Sequence, residues 1–338
     1  MKTRRYETPA APGRQIPEES ASPALQVRQV EAGERGAGQR LDNFLARILG
    51  DVPRSHIFRV IRKGEVRVNG KRAKPETRLQ ASDRVRVPPV RTGAAAPPRR
   101  ASGAMIESIT AAVVHEDPQL LVIDKPAGLA VHGGSGVSFG VIEALRSARP
   151  QETLELVHRL DRDTSGLLLI SRKPAALRTL HALLREGQVE KKYLALVKGK
   201  WELGAKRIDV PLRTDIRVGG ERTVKAHASG KEAVSHFKPV QFFGKKASLV
   251  EVTLETGRTH QIRVHAAHAG YPLAGDEKYG DAEFNEKLQA SGLSRMFLHA
   301  HHLSFVWPET GVEFSVSAPL PPDLAAVIDQ LNPPRVRK

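Results

Sequence analysis

Residues 158–166, HRLDRDTSG, place an aspartate between two arginines, directly before an apolar run. A carboxylate held partly out of water beside a guanidinium group stays ionised, so Asp161 can act as a nucleophile or a general base without a metal. The alternative interpretation is an ion-pair cluster that only holds a turn. This stretch alone leaves both interpretations of Asp161 open, and we expect Arg162 and Asp163 to brace the turn.

Two further stretches supply an aromatic hydroxyl and a second cation. KKYLALVKG, residues 191–199, places Tyr193 at the edge of an apolar strand, and GRTHQIRVH, residues 257–265, places Arg263 in a polar segment after a strand. Taken alone, a tyrosine in a strand is usually core, and an arginine in a polar turn is usually solvated. Together with Asp161 they form a set that can carry out covalent or acid–base catalysis without a metal.

The sequence lacks the usual patterns for binding a nucleotide cofactor or a metal. The glycine-rich run HGGSGVSFG, residues 132–140, has Phe139 where a dinucleotide fingerprint requires glycine, and no Walker-type phosphate loop is present. The chain has no cysteine, and its clustered histidines lack the HExxH spacing of zinc enzymes. We therefore predict that the protein uses neither a cofactor nor a metal.

The charge of the chain indicates a polyanionic partner. Its 338 residues include 53 basic and 37 acidic side chains, which gives a formal net charge of +16. Excess charge of this size favours association with nucleic acid. No apolar run approaches the roughly 18 residues of a membrane helix, and the first residues lack the apolar core of a secretory signal. We expect a soluble, cytoplasmic monomer that does not contact membranes.

Composition and periodicity divide the chain into five segments. We predict a disordered arm (1–37), a small domain (38–90), a linker (91–104), a large domain (105–330) and a basic tail (331–338). In the small domain, apolar residues at helical spacing predict a helix from Leu41 to Leu49, and Ser55 is the expected N-cap of a second helix. Asn69-Gly70 predicts a β-hairpin. The large domain mixes strands and helices in irregular order, so the fold class is α+β.

The basic residues of the small domain are concentrated on its second helix and hairpin. Between Asp51 and Pro75 there are eight basic residues against two acidic ones. Such a concentration favours a phosphate-binding surface over a merely solvated basic face. The predicted RNA-binding residues are Arg54, Arg59, Arg62, Lys63, Lys71 and Arg72 in this domain, and Arg159 and Arg258 in the large one.

The small domain resembles the RNA-binding module of ribosomal protein S4. The similarity rests on QRLDNFLARIL (39–49), SHIFRVIRKGEVRVNGKRAKP (55–75) and DRVRVP (83–88). The large domain resembles the RluA-like RNA pseudouridine synthases. Its matching motifs are HRLDRDTSG, KKYLALVKG and GRTHQIRVH, with further blocks at DKPAGLAVHGGSG (124–136), GDEKYG (275–280) and LHAHHLSFVWP (298–308).

The second resemblance implies a fold, an activity and roles for individual residues. The fold would be a bent, mainly antiparallel sheet flanked by helices, and the activity would be isomerisation of uridines in large-subunit ribosomal RNA, or in its precursor, to pseudouridine. Asp161 would be the catalytic aspartate, and Arg159 would fill the space left by the flipped nucleotide. Tyr193 would pack on the uracil and assist proton removal, and Arg263 would pair with Asp161.

Two other functions remain open from the residues alone. A base-releasing N-glycosidase also needs a carboxylate in a nucleotide pocket, but it requires a positioned water and a second acid or base that the sequence does not identify. A ribosome-assembly factor that only binds RNA would need the basic small domain and nothing more. The set of Asp161, Tyr193 and Arg263 argues against a pure binder, which has no use for a carboxylate that faces a polyanion.

Overall fold

The computed structural model describes residues 27–50, 52, 54–89, 101–133, 139–216 and 222–332. The chain divides into two compact units between Pro98 and Arg99. Most of the predicted disordered arm, most of the predicted linker and the tail from residue 333 lie outside the described residues.

The small unit packs helices against a four-stranded sheet of order β1-β4-β2-β3. Its elements are β1 (Arg28–Glu31), α1 (Gly33–Gly36), α2 (Leu41–Leu49), α3 (Arg54–Lys63), β2 (Arg67–Val68), β3 (Lys71–Arg72) and β4 (Arg84–Val87). Buried side chains from α2, α3 and β4 form its core, among them Phe44, Ile57 and Val85. The helix at Leu41–Leu49 and the hairpin are confirmed, and Asn69 and Gly70 both have the positive φ of a tight hairpin turn.

Two predictions for the small unit are wrong. Strand β1, which pairs with β4, and helix α1 lie within the stretch predicted to be disordered. Helix α3 begins at Arg54, so Ser55 is its second residue and not its N-cap. The sequence of β1, RQVE, has one apolar residue, and its structure depends on the pairing with β4 rather than on its own pattern.

The large unit contains a long sheet flanked by helices. Its elements are α4 (Gly103–Ala111), β5 (Val113–Glu116), β6 (Leu120–Lys125), α5 (Val141–Ala148), β7 (Glu155–Leu156), β8 (Ser165–Ser171), α6 (Pro174–Arg185), β9 (Glu190–Lys198), β10 (Lys206–Asp209), β11 (Leu212–Ile216), β12 (Arg222–Ala226), β13 (Val234–Phe243), β14 (Ala247–Leu254), α7 (Gln261–His268), α8 (Ala282–Gln289), β15 (Leu298–Val306), β16 (Glu313–Ser317) and α9 (Pro322–Leu331). Helix α4, with Ser102 as its N-cap, begins inside the predicted linker, and α9 extends to the first residue of the predicted tail.

The described strands form a ten-stranded sheet in the order β10-β13-β14-β9-β15-β8-β6-β5, with β16 on β15 and β7 on β8. In this sheet, β8 and β15 are parallel and the other described pairs are antiparallel. A separate hairpin consists of β11 and β12. The α+β class and the mainly antiparallel sheet are therefore confirmed. Strand β8 is buried along its whole length, which explains the unbroken apolar run after Asp161.

Gly166 lets β8 approach β15 closely. The parallel pairing sets Ser165 opposite His299 and Gly166 opposite Ala300. Gly166 has φ of 109°, and a Cβ at this position would lie 2.6 Å from the backbone nitrogen of Ala300. A side chain here would push the strands apart and shift the start of β8. Gly166 therefore fixes the point at which the turn that carries Asp161 joins strand β8.

A buried hydrogen-bond chain ties the same strand ends together. Arg295 donates to the Ser165 hydroxyl (3.2 Å), Ser165 donates to Nδ1 of His299 (3.0 Å), and Nε2 of His299 donates to the carbonyl of Ala318 (3.3 Å). In this arrangement each hydrogen-bonding group of Ser165 and His299 has a partner only when the His299 ring is neutral. Burial lowers the pKa of His299 to about 4, which keeps it neutral.

We predict that this histidine makes the large unit sensitive to acid. A pKa of about 4 in the folded state against about 6.5 in the unfolded state means that its stabilising contribution is complete above pH 6.5 and is lost as the pH falls toward 4. The full effect is about 3 kcal/mol, since one pKa unit corresponds to about 1.4 kcal/mol. Urea unfolding followed by the fluorescence of Trp201 and Trp307, both in the large unit, measures it. His299→Asn should flatten the slope of stability against pH, and equal slopes for the two proteins would contradict the prediction.

Candidate active site

The three motifs meet at one end of adjacent strands. In the order β14-β9-β15-β8, Tyr193 on β9 pairs with Val252 of β14 and with Ala300 of β15. The Asp161 turn leads into β8, and α7 follows the end of β14. Side chains from all these segments line an open cleft, among them Asp161, Tyr193, Arg258, His260, Ile262 and Leu298. The sheet thus brings together residues from Arg159 to Leu298, which lie 139 positions apart in the chain.

Asp161 lies on the wall of this cleft with a side chain that is 20% exposed. Its backbone carbonyl accepts a hydrogen bond from the amide of Thr164 (3.2 Å), which closes a turn. Its Oδ2 lies 3.8 Å from Nη1 of Arg263 and 3.8 Å from Nε2 of His260. Both distances exceed a hydrogen bond, so the carboxylate faces two donors and retains access to the cleft.

A buried lysine, Lys125, stabilises the turn that carries Asp161. Nζ of Lys125 donates to the carbonyls of Pro126 (2.8 Å), Leu129 (3.0 Å) and Arg162 (3.0 Å), and burial lowers the pKa of Lys125 to about 8. The amide of Gly128 also donates to the carbonyl of Arg162 (2.9 Å), and Nε of Arg162 donates back to the carbonyl of Gly128 (3.1 Å). Arg162 therefore braces the turn as expected.

Asp163 contributes little to this brace. Its side chain is 59% exposed, and its contact with Arg162 is a long one of 3.9 Å. An exposed ion pair at this distance adds little stability. The carboxylate two residues after Asp161 thus lies in a solvated part of the same turn.

Arg263 has a closer partner than the one expected from the sequence. Its Nε and Nη2 each donate to a carboxylate oxygen of Asp276 at 2.7 Å, and this pair is buried. Asp276 also accepts the amides of Lys278 and Tyr279. Burial alone would raise the pKa of Asp276, but the hydrogen bonds and charge of Arg263, with these amides, bring it below the ordinary value. The expected pairing of Arg263 with Asp161 is present as an ion pair at 3.8 Å, and the arginine is held in place by its closer partner Asp276.

Tyr193 is buried, and its ring belongs to the hydrophobic core and also lines the cleft. Burial, with a smaller effect from the negative charge of Asp161, raises its pKa well above the ordinary value of tyrosine. The phenol therefore stays protonated at neutral pH. This state fits packing of the ring on a base more directly than it fits removal of a proton.

Gln261 and His260 line the cleft, although neither was among the predicted site residues. Gln261 donates to the carbonyl of Val234 and the hydroxyl of Ser235, and it accepts from the amide of Arg258. It thereby ties the start of α7 to β13. His260, which precedes α7, has left-handed backbone angles, φ 54° and ψ 22°. The strained backbone at a cleft residue was the missing signal, and it is visible only in the structure.

The predicted RNA contacts of the large unit, Arg159 and Arg258, have exposed side chains and line the cleft. Nε of Arg258 donates to the carbonyl of Glu232 (2.9 Å), and its other nitrogens have no hydrogen-bond partner among the described residues, so they can face an anion. In the small unit, the side chains of Arg59, Arg62, Lys63 and Lys71 are exposed. Arg72 donates to the carbonyl of Lys63 (3.0 Å) at the end of α3, so its role is at least partly structural. The side chain of Arg54 lies outside the described residues.

Neither a cluster of metal ligands nor a membrane-spanning helix occurs in the part of the chain that the structure describes. There, no group of three or more histidine, aspartate or glutamate side chains is arranged to hold a metal ion. No described helix has the length and hydropathy needed to cross a membrane.

Comparison with known proteins shows that the chain belongs to the RNA pseudouridylate synthase family, whose profile matches residues 119–268, and that residues 39–85 match the S4 domain. It is thus an RNA pseudouridine synthase with an RNA-binding domain. Ribosomal large subunit pseudouridine synthase C of Yersinia pestis is 51% identical over 88% of this chain and 93% of its own length. The protein of the same name from Escherichia coli (strain K12) is 47% identical over 92% of this chain and 98% of its own length.

Solved structures agree with this assignment. Human RNA Pseudouridylate Synthase Domain Containing 1 superposes with a TM-score of 0.54 at 26% identity, over 66% of this chain and 88% of that one. Human RNA Pseudouridylate Synthase Domain Containing 4 gives the same TM-score at 25% identity, over 68% of this chain and 96% of that one.

Proposed function

We propose that the protein converts specific uridines of large-subunit ribosomal RNA, or of its precursor, to pseudouridine. The relatives named as ribosomal large subunit enzymes match almost the whole chain, and the net charge of +16 suits a large polyanion. Family membership favours this reaction over a base-releasing glycosidase and over a non-enzymatic assembly factor. We include in the proposal that the protein acts as a cytoplasmic monomer and needs no cofactor or metal.

The observation that carries the proposal is a carboxylate in an open cleft beside a cation of fixed geometry. The reaction breaks the bond between N1 of uracil and C1′ of ribose, turns the base, and joins C5 to C1′. The hydrogen displaced from C5 leaves as a proton, and N1 ends with a proton, so no redox cofactor is required. Asp161 is the group assigned to bond breaking, and Arg263, anchored by Asp276, stabilises its negative charge.

The other cleft residues act on the position of the nucleotide. The target uridine must leave the base stack, at a cost of a few kcal/mol, to reach a carboxylate on the cleft wall. Exposed Arg159 occupies the space that the uridine leaves, and Arg258 contacts a flanking phosphate. The ring of Tyr193, with Ile262 and Leu298, supplies an apolar surface for the flipped uracil.

Mapping of pseudouridines in cells tests the choice of substrate. Ribosomal RNA from cells with and without this protein is compared, and cells that carry Asp161→Asn provide the matched control. The proposal predicts that defined pseudouridines in large-subunit RNA disappear both without the protein and with the variant. Loss of pseudouridines only from transfer RNA or small-subunit RNA would contradict the proposal.

The small unit is expected to add phosphate contacts rather than to choose the uridine. Arg59, Arg62 and Lys71 are exposed on α3 and β3, so replacing all three by glutamine should weaken RNA binding and flatten its salt dependence. Each lost phosphate contact reduces the log–log salt slope by about 0.7 to 0.9, so three lost contacts should reduce it by roughly 2. Turnover at saturating RNA should change little.

A charge-matched control comes from the large unit. Lys200, Lys245 and Lys246 are exposed around the ends of β9, β13 and β14, outside the cleft. Their replacement by glutamine removes the same charge and should leave most of the salt slope intact. Equal slopes for the two triple variants would show that the effect is one of total charge and not of the small unit.

A further inference from the structure

Tyr279 and His260 form a hydrogen-bonded pair beside the reacting groups. The Tyr279 hydroxyl lies 2.8 Å from Nδ1 of His260, and it also accepts the amide of Val224 from strand β12 at 2.9 Å. The other ring nitrogen of His260, Nε2, is the one that lies 3.8 Å from Asp161. The reaction described above uses neither Tyr279 nor His260.

The bonds of Tyr279 determine the tautomer of His260. The phenol oxygen accepts from Val224, so its own hydrogen finds an acceptor only if Nδ1 of His260 carries none. A neutral His260 then carries its hydrogen on Nε2, on the side of Asp161. Burial, together with the cations Arg263 and Lys278, lowers the pKa of His260 in spite of the opposing effect of Asp161, so the neutral ring is favoured.

Tyr279 also contacts the second donor that faces Asp161. The guanidinium carbon of Arg263 lies 5.0 Å from the centre of the Tyr279 ring, a cation–π contact. Tyr279 therefore touches both residues whose nitrogens lie 3.8 Å from the Asp161 carboxylate. Its hydroxyl contacts His260, and the face of its ring contacts Arg263. Its place in the GDEKYG loop, next to the Asp276 that holds Arg263, puts these contacts on a single anchored segment.

The backbone at His260 provides an independent indication. Its left-handed conformation is unfavourable for most residues other than glycine. A glycine would meet the backbone requirement without strain, so the presence of an imidazole here comes at a cost to the fold. A side chain kept in this way is expected to act in the cleft that it lines.

We infer that Tyr279 and His260 are positioning residues, in which Tyr279 fixes the His260 ring so that its Nε2–H, together with Arg263, orients the Asp161 carboxylate toward the bound nucleotide. Both donors lie just beyond hydrogen-bond distance of the Asp161 carboxylate, and a movement of roughly 1 Å on RNA binding would bring them into contact. The inference rests on the proposed role of Asp161.

Tyr279→Phe in the full-length protein tests it, because the change keeps the ring and removes only the hydroxyl. We expect kcat on a ribosomal RNA fragment to fall by roughly tenfold to a hundredfold, while the Kd for the RNA stays within about twofold. Tyr271→Phe is the matched control, since the Tyr271 hydroxyl also accepts a backbone amide, that of Glu202, but lies outside the cleft. It should leave kcat unchanged.

His260→Asn provides a second route, because asparagine tolerates left-handed backbone angles. It should lower kcat to a similar extent, and the double variant should lose no more than either single one, because the two residues act as one unit. Losses that multiply, or a kcat at the wild-type level in either single variant, would overturn the inference. An RNA affinity that falls as much as kcat would place the pair on the RNA backbone and would also overturn it.

Nitrogen-15 spectra of the histidine rings report the tautomer without any reaction. With His260→Asn to assign the signals, the wild type should show His260 as the Nε2–H form, and Tyr279→Phe should show a mixture of forms. An Nδ1–H form in the wild type would overturn the inference. Turnover retained by Asp161→Asn would instead refute the role of Asp161 and leave the tautomer result as it stands, so the two failures are distinguishable.

Discussion

Asp161→Asn is expected to abolish pseudouridine formation and to leave the fold and most RNA binding intact. Asparagine has nearly the same size, and the exposed basic groups that face phosphates lie elsewhere, so the variant removes only the charge and the reactivity of the carboxylate. Pseudouridine formation displaces the hydrogen on C5 of uracil, so tritium placed there is released to water once per turnover. The wild type should release it, and Asp161→Asn should release none above background.

Asp163→Asn is the matched control. Asp163 lies in the same turn, two residues on, but its side chain is 59% exposed and its ion pair with Arg162 is long, at 3.9 Å. It cannot replace Asp161, because its carboxylate does not line the cleft. We expect tritium release close to that of the wild type. Sustained turnover by Asp161→Asn with intact RNA binding would refute the assignment of Asp161.

The second large effect concerns the pair of Arg263 and Asp276. Arg263→Lys keeps the charge but loses the planar fork that bonds both oxygens of Asp276, so the cation is no longer held 3.8 Å from Asp161. We expect kcat to fall roughly a hundredfold with nearly normal RNA affinity. Asp276→Asn should lower kcat to a similar extent, because it removes the partner that holds Arg263. Single-turnover rates at saturating RNA measure both losses.

Loss of a buried ion pair also costs stability, about 3–5 kcal/mol, so folding must be checked separately. Arg149→Lys is a suitable control, because Arg149 bonds both oxygens of Glu116 (2.6 and 2.9 Å) and does not line the cleft. It should reduce stability without a comparable loss of kcat. RNA affinity that falls as much as the rate in Arg263→Lys would instead place Arg263 on the phosphate backbone.

The features that could be predicted from the sequence are those with a local physical cause. Helix α2 follows from apolar residues at helical spacing, the hairpin from Asn69-Gly70, and strand β8 from an apolar run that needs burial. Asp161 could be singled out as a candidate because an aspartate beside arginines at the edge of such a strand is unusual, and the structure places it on the wall of the cleft. Each of these signals lies within about ten neighbouring residues.

The features that were missed depend on contacts between distant segments. Strand β1 forms because β4 offers a free edge, which its own sequence does not reveal. The anchor of Arg263 lies 13 residues downstream, and only the two glycines of GDEKYG hinted that this loop is tightly held: a Cβ at Gly280 would overlap the carbonyl of Asp276. Helix α7 was missed because its residues are nearly all buried, so it lacks an apolar stripe.

Analysis of the products from one defined substrate tests the central claim most directly. A large-subunit ribosomal RNA transcript is incubated with the purified protein in the presence of EDTA, and its nucleosides are then quantified by chromatography and mass spectrometry. Our account predicts that each uridine lost from the RNA appears as one pseudouridine, with no free uracil, and that Asp161→Asn gives neither. Release of free uracil, or no conversion until a metal or cofactor is added, would contradict it.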